Sequence, residues 1–233
     1  MVIATISFGD SPDQAALLRL WCAHARHFAP RHRLLVISDA ASPVAEHVPV
    51  LRLELGEEYA PVLRPGEPFD KKGALLCEAA LRLGPFLYLD SDAFLVADPT
   101  VALCAFGGNS ALAMPIDHGV ANISAFQCSE GAIAERCAGV AWFGTQGREM
   151  IVLAYQRAFT LLVDDPQLSP TLDRHLIEQY AWALVMHWLG GATLPDDFNH
   201  PRHQRGPSKT AIVHHYFGGG KSSALKVTEP LNH

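Results

Sequence analysis

The stretch that decides the fold is residues 86–100, FLYLDSDAFLVADPT. Its apolar run FLYL predicts a buried strand, and the strand ends in two carboxylates, Asp90 and Asp92, separated by Ser91. In open α/β sheets, ligands bind outside the carboxyl ends of the strands. Two carboxylates at such an edge repel each other unless a positive charge holds them. The stretch therefore predicts a divalent-cation site, because Mg²⁺ and Mn²⁺ are commonly held by one or two carboxylates together with substrate phosphates.

Strand-like and helix-like segments alternate along the rest of the chain. Strands are predicted at VIATISF, RLLVISD, FLYLD, ALAMPI and AGVAWF, and long helices at SPDQAALLRLWCAHARHF, GREMIVLAYQRAFTLLVDD and LDRHLIEQYAWALVMHWLGG. Residues 56–72 are rich in Pro and Gly and predict an irregular connection, followed by a short helix over residues 73–84. This alternation predicts an α/β fold with a mostly parallel sheet flanked by helices.

Composition sets limits on the class of protein. The chain has 233 residues, 49% of them hydrophobic and 18% charged, which suits one globular domain. A formal charge of -6 argues against nucleic acid as the main partner. The five cysteines form no C-x-x-C pair, so neither a disulfide framework nor a thiolate zinc site is expected. No signal peptide and no apolar run of about 18 residues is found, so we expect a cytoplasmic protein without a transmembrane segment.

A second polar group of residues lies near the end of the sequence, in HHYFGGGKSS. The run of glycines from Gly218 to Gly220 allows backbone amides to approach a phosphate closely, and Lys221 can place a positive charge on it. His215 precedes Gly218 by three positions and suits manganese well enough to complete a carboxylate site.

Together these motifs resemble those of GT-A glycosyltransferases. The closest likeness is to the retaining group that includes bacterial galactosyl- and glucosyltransferases and glycogenin. YLDSD matches the apolar strand and D-x-D of that group, CAGVAWF is similar to its N-x-G-V strand, His215-x-x-Gly218-x-x-Lys221 matches its H-x-x-G-x-x-K ending, and LPDDFN is similar to the segment before that ending. The resemblance implies one Rossmann-like domain over residues 1–233. Residues 1–100 form its nucleotide-binding half, and residues 101–233 form the half that binds the acceptor and completes the metal site.

The resemblance also implies a role for each matching residue. Mn²⁺ or Mg²⁺ is expected on Asp90, Asp92 and His215. The residues expected around the nucleotide-sugar donor are Ser7, Phe8, Asp39, Lys72 (with Lys71 as the substitute), Asp90, Ser91, Asp117, Gly218 and Lys221. The residues expected to act in catalysis are Asp92, Glu178, Gln179 and Lys221. Glu178 is open to two interpretations, a base or nucleophile, or an exposed or capping position on a long helix.

The implied activity is transfer of a sugar, with retention, from a UDP-sugar to an acceptor that is a saccharide, a glycolipid or a protein. The absence of a transmembrane segment leaves room for peripheral membrane contact. The sequence departs from the group at three places. Ser222 and Ser223 follow the lysine where the group has Pro-Trp, and Cys137 or Ala138 stands where the group has an asparagine. The acidic-Gln-acidic triplet of the group appears here as Glu178-Gln179-Tyr180.

Two other interpretations use the same residues. In a haloacid-dehalogenase-like phosphatase, Asp90 is the nucleophile, Asp92 the acid, and Asp196 and Asp197 the late acidic pair, although Phe94 stands where such enzymes favour threonine. A non-catalytic nucleotide-sugar-binding relic needs no intact reaction centre.

Overall fold

The computed structural model describes residues 1–8, 11–44, 49–104, 110–116, 125–165, 176–206, 208–216 and 220–227. Its strands are β1 (Val2–Ile6), β2 (Arg33–Asp39), β3 (Val50–Leu53), β4 (Phe86–Leu89), β5 (Ala93–Leu95), β6 (Leu112–Met114), β7 (Ala125–Cys128), β8 (Gly131–Ala134), β9 (Val140–Phe143), β10 (Ala192–Thr193), β11 (His200–Pro201) and β12 (Val213–His215). Its α-helices are α1 (Pro12–Phe28), α2 (Pro68–Arg82), α3 (Thr100–Cys104), α4 (Arg148–Asp164), α5 (Ile177–Leu189), α6 (Arg202–Arg205) and α7 (Lys221–Ala224). Short 3-10 helices span Glu57–Val62 and Asp196–Phe198.

Among the described residues, the main sheet has seven strands in the order β10-β6-β9-β4-β1-β2-β3. Strand β9 runs antiparallel to both of its neighbours, and the other adjacent pairs are parallel. This arrangement confirms the predicted α/β class with a mostly parallel sheet. It also places the carboxyl ends of β1, β2 and β4 along one edge, where ligands bind in such sheets.

A smaller sheet begins directly after the D-x-D turn. The chain leaves β4, passes through Asp90 and Asp92, and enters β5, which pairs antiparallel with β12. Strand β11 adds to the other side of β12 in parallel. The D-x-D turn therefore joins the main sheet to the small sheet.

The main sheet is buried on both faces because side chains alternate along each strand. In β4, Phe86 and Tyr88 join the core formed with α2, α4 and α5, whereas Leu87 and Leu89 join the core formed with α1 and the small sheet. A strand buried on both faces reads as a continuous apolar run, which explains the FLYL pattern.

Residues 56–72 are more regular than the sequence predicted. They contain the 3-10 helix Glu57–Val62, and α2 begins at Pro68 instead of residue 73. Proline is tolerated in the first turn of a helix because the N–H it lacks would have no partner inside the helix. The buried carboxylate of Asp70 accepts hydrogen bonds from the backbone N and the Nε of Arg64, at 3.1 and 2.7 Å, and ties the connection to the helix. Lys71 and Lys72 consequently lie on α2.

The ends of the long helices agree with their sequence signals. Ser11 and Gln14 form a capping box at the start of α1, and Gly190 ends α5 in the left-handed conformation at φ 60°. Within the described part of the chain, no helix has both the length and the apolar character needed to cross a bilayer. All five cysteines are free thiols.

Trp182 of α5 is the centre of one core, and its truncation tests how far the fold depends on that core. The indole is fully buried and lies 4.5 Å from the ring centre of Tyr155 and 5.7 Å from that of Phe143. We expect Trp182→Ala to lower the free energy of unfolding by about 3–5 kcal/mol, because the cavity it leaves cannot close completely. Urea denaturation measures this loss. Leu153→Ala, at a position that is 66% exposed, is the control and should change stability by less than about 0.5 kcal/mol.

Candidate functional site

The turn after β4 holds the two aspartates in a fixed arrangement. The backbone N–H of Asp90 donates to the carbonyl of Gly139 at 2.7 Å, and the N–H of Ala93 donates to the carbonyl of Asp90 at 2.9 Å. These bonds close the turn between the two sheets. Asp92 is buried, whereas the side chain of Asp90 keeps 27% of its surface exposed.

The pairing of β5 with β12 brings a histidine to this turn from a distant part of the chain. Ala93 lies opposite His215, and the N–H of Tyr216 donates to the carbonyl of Asp92 at 3.0 Å. Because neighbouring side chains point to opposite faces of a strand, His215 faces the aspartates and His214 does not. The Nε2 atom of His215 lies 3.5 Å from Oδ1 of Asp92.

Asp90, Asp92 and His215 form a group that can hold a metal ion. One ligand atom from each side chain lies within 4.8 Å of the other two. Two carboxylate oxygens and one imidazole nitrogen suit Mn²⁺, and the carboxylates also suit Mg²⁺.

Gly139, in the turn before β9, keeps the space between these ligand atoms open. A Cβ atom at this position would lie 2.5 Å from Cε1 and 2.9 Å from Nε2 of His215, and 2.8 Å from Oδ2 of Asp90. Any side chain here would fill the place that a cation needs. The residues present therefore fit a cation in both donor type and space.

The two oxygens of Asp90 face different surroundings. The Tyr88 hydroxyl donates to Oδ1, and the Nζ atom of Lys72 lies 3.5 Å from the same oxygen. Oδ2 is directed toward Gly139 and His215. The protein thus holds one oxygen and leaves the other directed at the space that Gly139 keeps open.

Lys72 of α2 links Asp90 to Glu178 of α5. Its Nζ atom lies 3.5 Å from Oδ1 of Asp90 and 3.5 Å from Oε2 of Glu178, and the lysine is only 8% exposed. Burial opposes the charge of Lys72, but the two carboxylates hold its pKa above the ordinary value. Lys72 thus contacts the cluster, whereas Lys71, the substitute candidate, contacts Asp39.

Glu178 lies in the first turn of α5 and is 2% exposed, so the expectation of an exposed or capping position is wrong. The residue in the capping position is Leu176. Burial raises the pKa of Glu178 to about 7; Lys72 lowers it and Asp90 raises it. Gln179, the next residue, is partly exposed.

His215 also titrates under opposing influences. Burial alone lowers the pKa of the ring, but Cys137 and Asp92 together hold it well above 6.5. A cation that binds Nε2 must therefore displace a proton from it.

A second group of predicted residues lies at the ends of β1 and β2. Asp39 accepts hydrogen bonds from the backbone N–H groups of Ala41 and Ser42, at 2.8 and 2.5 Å, and forms an ion pair with Lys71. The Nζ of Lys71 lies 5.3 Å from the ring centre of Phe8. Ser7, buried at the end of β1, donates its N–H to the carbonyl of Ile37 at 3.1 Å.

Ser91, the remaining predicted donor contact of the D-x-D turn, is partly exposed between the two aspartates.

Several predicted residues cannot be placed. Asp117 and Gly218 lie outside the described residues, and so does the side chain of Lys221, whose backbone begins α7.

Sequence reasoning did not assign a role to four residues that contact the cluster: Tyr88, Cys137, Gly139 and Asn199. The Oδ1 atom of Asn199 lies 2.9 Å from Nδ1 of His215, and the Sγ atom of Cys137 lies 3.5 Å from the same nitrogen. All four lie in segments that carry the resemblance: Tyr88 in YLDSD, Cys137 and Gly139 in CAGVAWF, and Asn199 in LPDDFN.

The late acidic pair of the phosphatase interpretation lies apart from this group. Asp197 accepts a hydrogen bond from the Thr210 hydroxyl at 2.8 Å, and Asp196 is exposed. Among the residues described, the metal-capable group contains Asp90, Asp92 and His215 but neither of these aspartates.

Two surface depressions lie along α4. One is lined by Met150, Leu153, Ala154, Arg157, Trp188 and Leu189, and the other by Glu58, Pro61, Gln156, Arg157, Thr160 and Leu161. Neither contains a residue of the metal-capable group, and neither combines the carboxylates and imidazole found there.

A methyl group at Gly139 tests the open space between the ligands. We expect Gly139→Ala to weaken Mn²⁺ binding by about tenfold or more, the scale of losses when ligands are misplaced. Electron paramagnetic resonance of free Mn²⁺ measures the affinity. Gly84→Ala is the control, because a Cβ atom there meets nothing within 4 Å. Equal affinities in the two variants would contradict the assignment.

The raised pKa of Glu178 predicts a pH-dependent contribution to stability. Between its ordinary value of 4.5 and about 7, the folded state binds this proton more tightly than the unfolded chain does, so stability falls as the pH rises. Relative to Glu178→Gln, the wild type should lose up to about 3 kcal/mol across this window, at about 1.4 kcal/mol per pKa unit. Urea denaturation at a series of pH values measures the difference. A difference that does not change with pH would show that Glu178 titrates normally.

Comparison with known proteins identifies the fold. No protein-family model matches the sequence, and a search of curated proteins finds no match. Among solved structures, an active-site mutant of LgtC matches with a TM-score of 0.65 and 14% identity, over 97% of this chain and 94% of that one. The galactosyltransferase LgtC in complex with donor and acceptor sugar analogues matches with a TM-score of 0.59, 14% identity and the same coverage. The glycosyltransferase GlyE from Streptococcus pneumoniae matches with a TM-score of 0.59 and 12% identity, over 94% of this chain and 54% of that one. The chain therefore has a GT-A-like glycosyltransferase fold.

Proposed function

We propose that the protein is a metal-dependent glycosyltransferase that moves a sugar from a nucleotide-diphospho-sugar, with a UDP-sugar as the donor, to an acceptor hydroxyl. One observation carries this proposal: Asp90, Asp92 and His215 converge within 4.8 Å at the edge of the main sheet where its strands end. That edge belongs to a fold shared with glycosyltransferases. The proposal needs both observations, because neither the fold nor the metal-capable group alone indicates this activity.

The donor would lie along the edge formed by β1, β2 and β4. Ser7, Phe8 and Asp39, which lie at the ends of the first two strands, and Lys71 of α2, which contacts Asp39, are proposed to contact the nucleoside. The metal-capable group follows at the end of β4 and is proposed to face the diphosphate. This order along one edge suits a nucleoside diphosphate. Asp117, Gly218 and Lys221 keep their predicted donor contacts as part of the proposal.

The catalytic task is to stabilise the negative charge that develops on the departing diphosphate. A divalent cation held by Asp90, Asp92 and His215 would supply most of the opposing charge. Tyr88 and Lys72 keep one oxygen of Asp90 in place, so the ligands need little rearrangement as the reaction proceeds. Removing one preorganised electrostatic group of this kind typically costs about 3 kcal/mol of barrier lowering.

Retention of configuration is the proposed stereochemistry. An inverting enzyme needs a carboxylate that accepts the proton of the acceptor hydroxyl. Glu178 is the candidate that the sequence offered, and its carboxylate is buried against Lys72. A retaining reaction needs no such base, because the departing diphosphate can accept the proton. We therefore assign Glu178, with Gln179 beside it, to shaping the donor-sugar side of the site.

The acceptor class is proposed from a structural neighbour. LgtC was crystallised with donor and acceptor sugar analogues, which supports a saccharide or the sugar of a glycolipid as the acceptor here. A protein acceptor remains the alternative that the acceptor screen below must include.

Stabilisation by ligands tests the proposal directly. UDP together with Mn²⁺, each at about one hundred times its dissociation constant, should stabilise the protein by about 2.7 kcal/mol, because only the folded state binds them. Thermal melting measures the shift, and hydrolysis or transfer from a panel of UDP-sugars measures activity. Asp92→Asn should remove the metal-dependent part of the shift and the activity. Asp164→Asn, the same change at an exposed position on α4, should keep both.

Three other outcomes contradict the proposal in different ways. Turnover of a generic phosphatase substrate without a UDP and Mn²⁺ shift would establish the phosphatase interpretation. A shift without hydrolysis or transfer to any saccharide, glycolipid or protein acceptor would establish the binding relic. A shift that Asp92→Asn leaves unchanged would place the metal elsewhere.

A further inference from the structure

The two ring nitrogens of His215 face different partners. Nε2 is directed toward Asp92, whose Oδ1 atom lies 3.5 Å away, and toward the space beside Gly139. Nδ1 points away from that space and lies 2.9 Å from Oδ1 of Asn199. The side chains of His215 and Asn199 are both buried, with 2% of each residue exposed. The ring therefore lies between the carboxylate of Asp92 on one side and the buried amide of Asn199 on the other.

The backbone around Asn199 leaves little freedom for that amide. Asn199 donates its N–H to the carbonyl of Asp196 at 2.9 Å and so ends the 3-10 helix Asp196–Phe198. His200, the next residue, pairs with His214 in the parallel ladder of β11 and β12. Asn199 is therefore fixed relative to the strand that carries His215.

We propose that Asn199 is a positioning residue that keeps a proton on Nδ1 of His215 and thereby directs the lone pair of Nε2 at the cation. The inference rests on the metal site of the proposed function. An amide oxygen is an acceptor, so at 2.9 Å it stabilises an N–H on the nitrogen it faces. A neutral imidazole carries only one N–H, so the other nitrogen becomes the ligand. In proteins, metal-binding histidines usually have such an oxygen partner for the second nitrogen.

Cys137 provides a competing contact with the opposite consequence. Its Sγ atom lies 3.5 Å from Nδ1, and a thiol can donate as well as accept. If the thiol donated to Nδ1, the proton of the neutral ring would lie on Nε2, and that nitrogen could not bind a cation. A thiol is only a weak donor, whereas the 2.9 Å between Nδ1 and the amide oxygen is typical of an N–H···O bond. The geometry therefore favours Asn199 as the residue that decides the tautomer.

Nitrogen NMR of the wild-type protein tests the tautomer without measuring activity. Zn²⁺ serves as a diamagnetic cation, and the resonances of His215 are identified by their absence in His215→Ala. We expect Nδ1 of the zinc-loaded protein to carry the proton and Nε2 to show the shift of a metal-bound nitrogen. A zinc-bound ring with Nδ1 as the ligand, or a ring with its proton on Nε2, would overturn the inference.

Mn²⁺ affinity, measured by electron paramagnetic resonance, tests which neighbour is responsible. Asn199→Leu has nearly the same size but no acceptor, and should weaken binding about 10- to 100-fold. Asn199→Asp keeps an acceptor oxygen, so its Mn²⁺ affinity should lie within about threefold of the wild-type value or exceed it. This is smaller than the loss of about tenfold or more expected when the oxygen partner is removed. Cys137→Ala, which removes the longer contact, should not weaken Mn²⁺ binding. Wild-type affinity in Asn199→Leu, or a large loss in Cys137→Ala alone, would contradict the role of Asn199.

Two controls keep the result clear. Thermal melting shows whether Asn199→Leu is folded, and if it is not, the NMR experiment on the wild type decides alone. Asp92→Asn shows whether Mn²⁺ binds at the proposed site at all. If wild-type Mn²⁺ binding does not depend on Asp92, the proposed function fails. If binding depends on Asp92 but not on Asn199, only the present inference fails.

Discussion

The antiparallel pairing of β5 with β12 is the constraint on which the rest of the site depends. Its register sets Ala93 opposite His215, so a strand near the end of the chain delivers an imidazole to the D-x-D turn. A shift of one residue would bring His214 there and turn His215 away. The apolar partners in this ladder, Val213 and Leu95, are almost completely buried, so a shift would also expose part of the core. Hydrophobic burial thus fixes the position of a polar group.

The site concentrates negative charge in a buried place, and Lys72 compensates for part of it. Asp90, Asp92 and Glu178 contribute three carboxylates, and the ammonium group of Lys72 lies between two of them. Buried charges are tolerated when they are paired, and an unpaired one is costly. Lys72 therefore stabilises the Asp90 and Glu178 side of the group, while Asp92 faces His215. A cation would find room between Oδ2 of Asp90 and Nε2 of His215, where Gly139 has no side chain.

The sequence predicted the parts of this arrangement that have a local signal. The run FLYL marks β4 because a strand buried on both faces is apolar throughout, and the aspartates follow it directly. The start of α2 was not predicted, because Pro68 was interpreted as part of an irregular connection. Strands β7 and β8 pair antiparallel as a hairpin, which was not predicted because it contains a single β-branched residue, Ile133. The contacts of Asn199 and Gly139 follow from strand pairing across distant segments, which no local pattern encodes. His215 was identified by its place before the glycine run and by the family resemblance, but no local signal predicted its position opposite Ala93.

The departures from the retaining group are explained by packing at two of the three positions. Tyr180, which ends the triplet that begins at Glu178, is 5% exposed, and its ring lies 5.0 Å from that of Phe126 in β7. Its side chain belongs to the core beneath the hairpin, so an acidic residue there would be buried away from the metal-capable group. Cys137 is buried, and its Sγ atom lies 3.5 Å from Nδ1 of His215. Glu178, two residues earlier on the same helix, is connected to Asp90 through Lys72, whose Nζ atom lies 3.5 Å from a carboxylate oxygen of each.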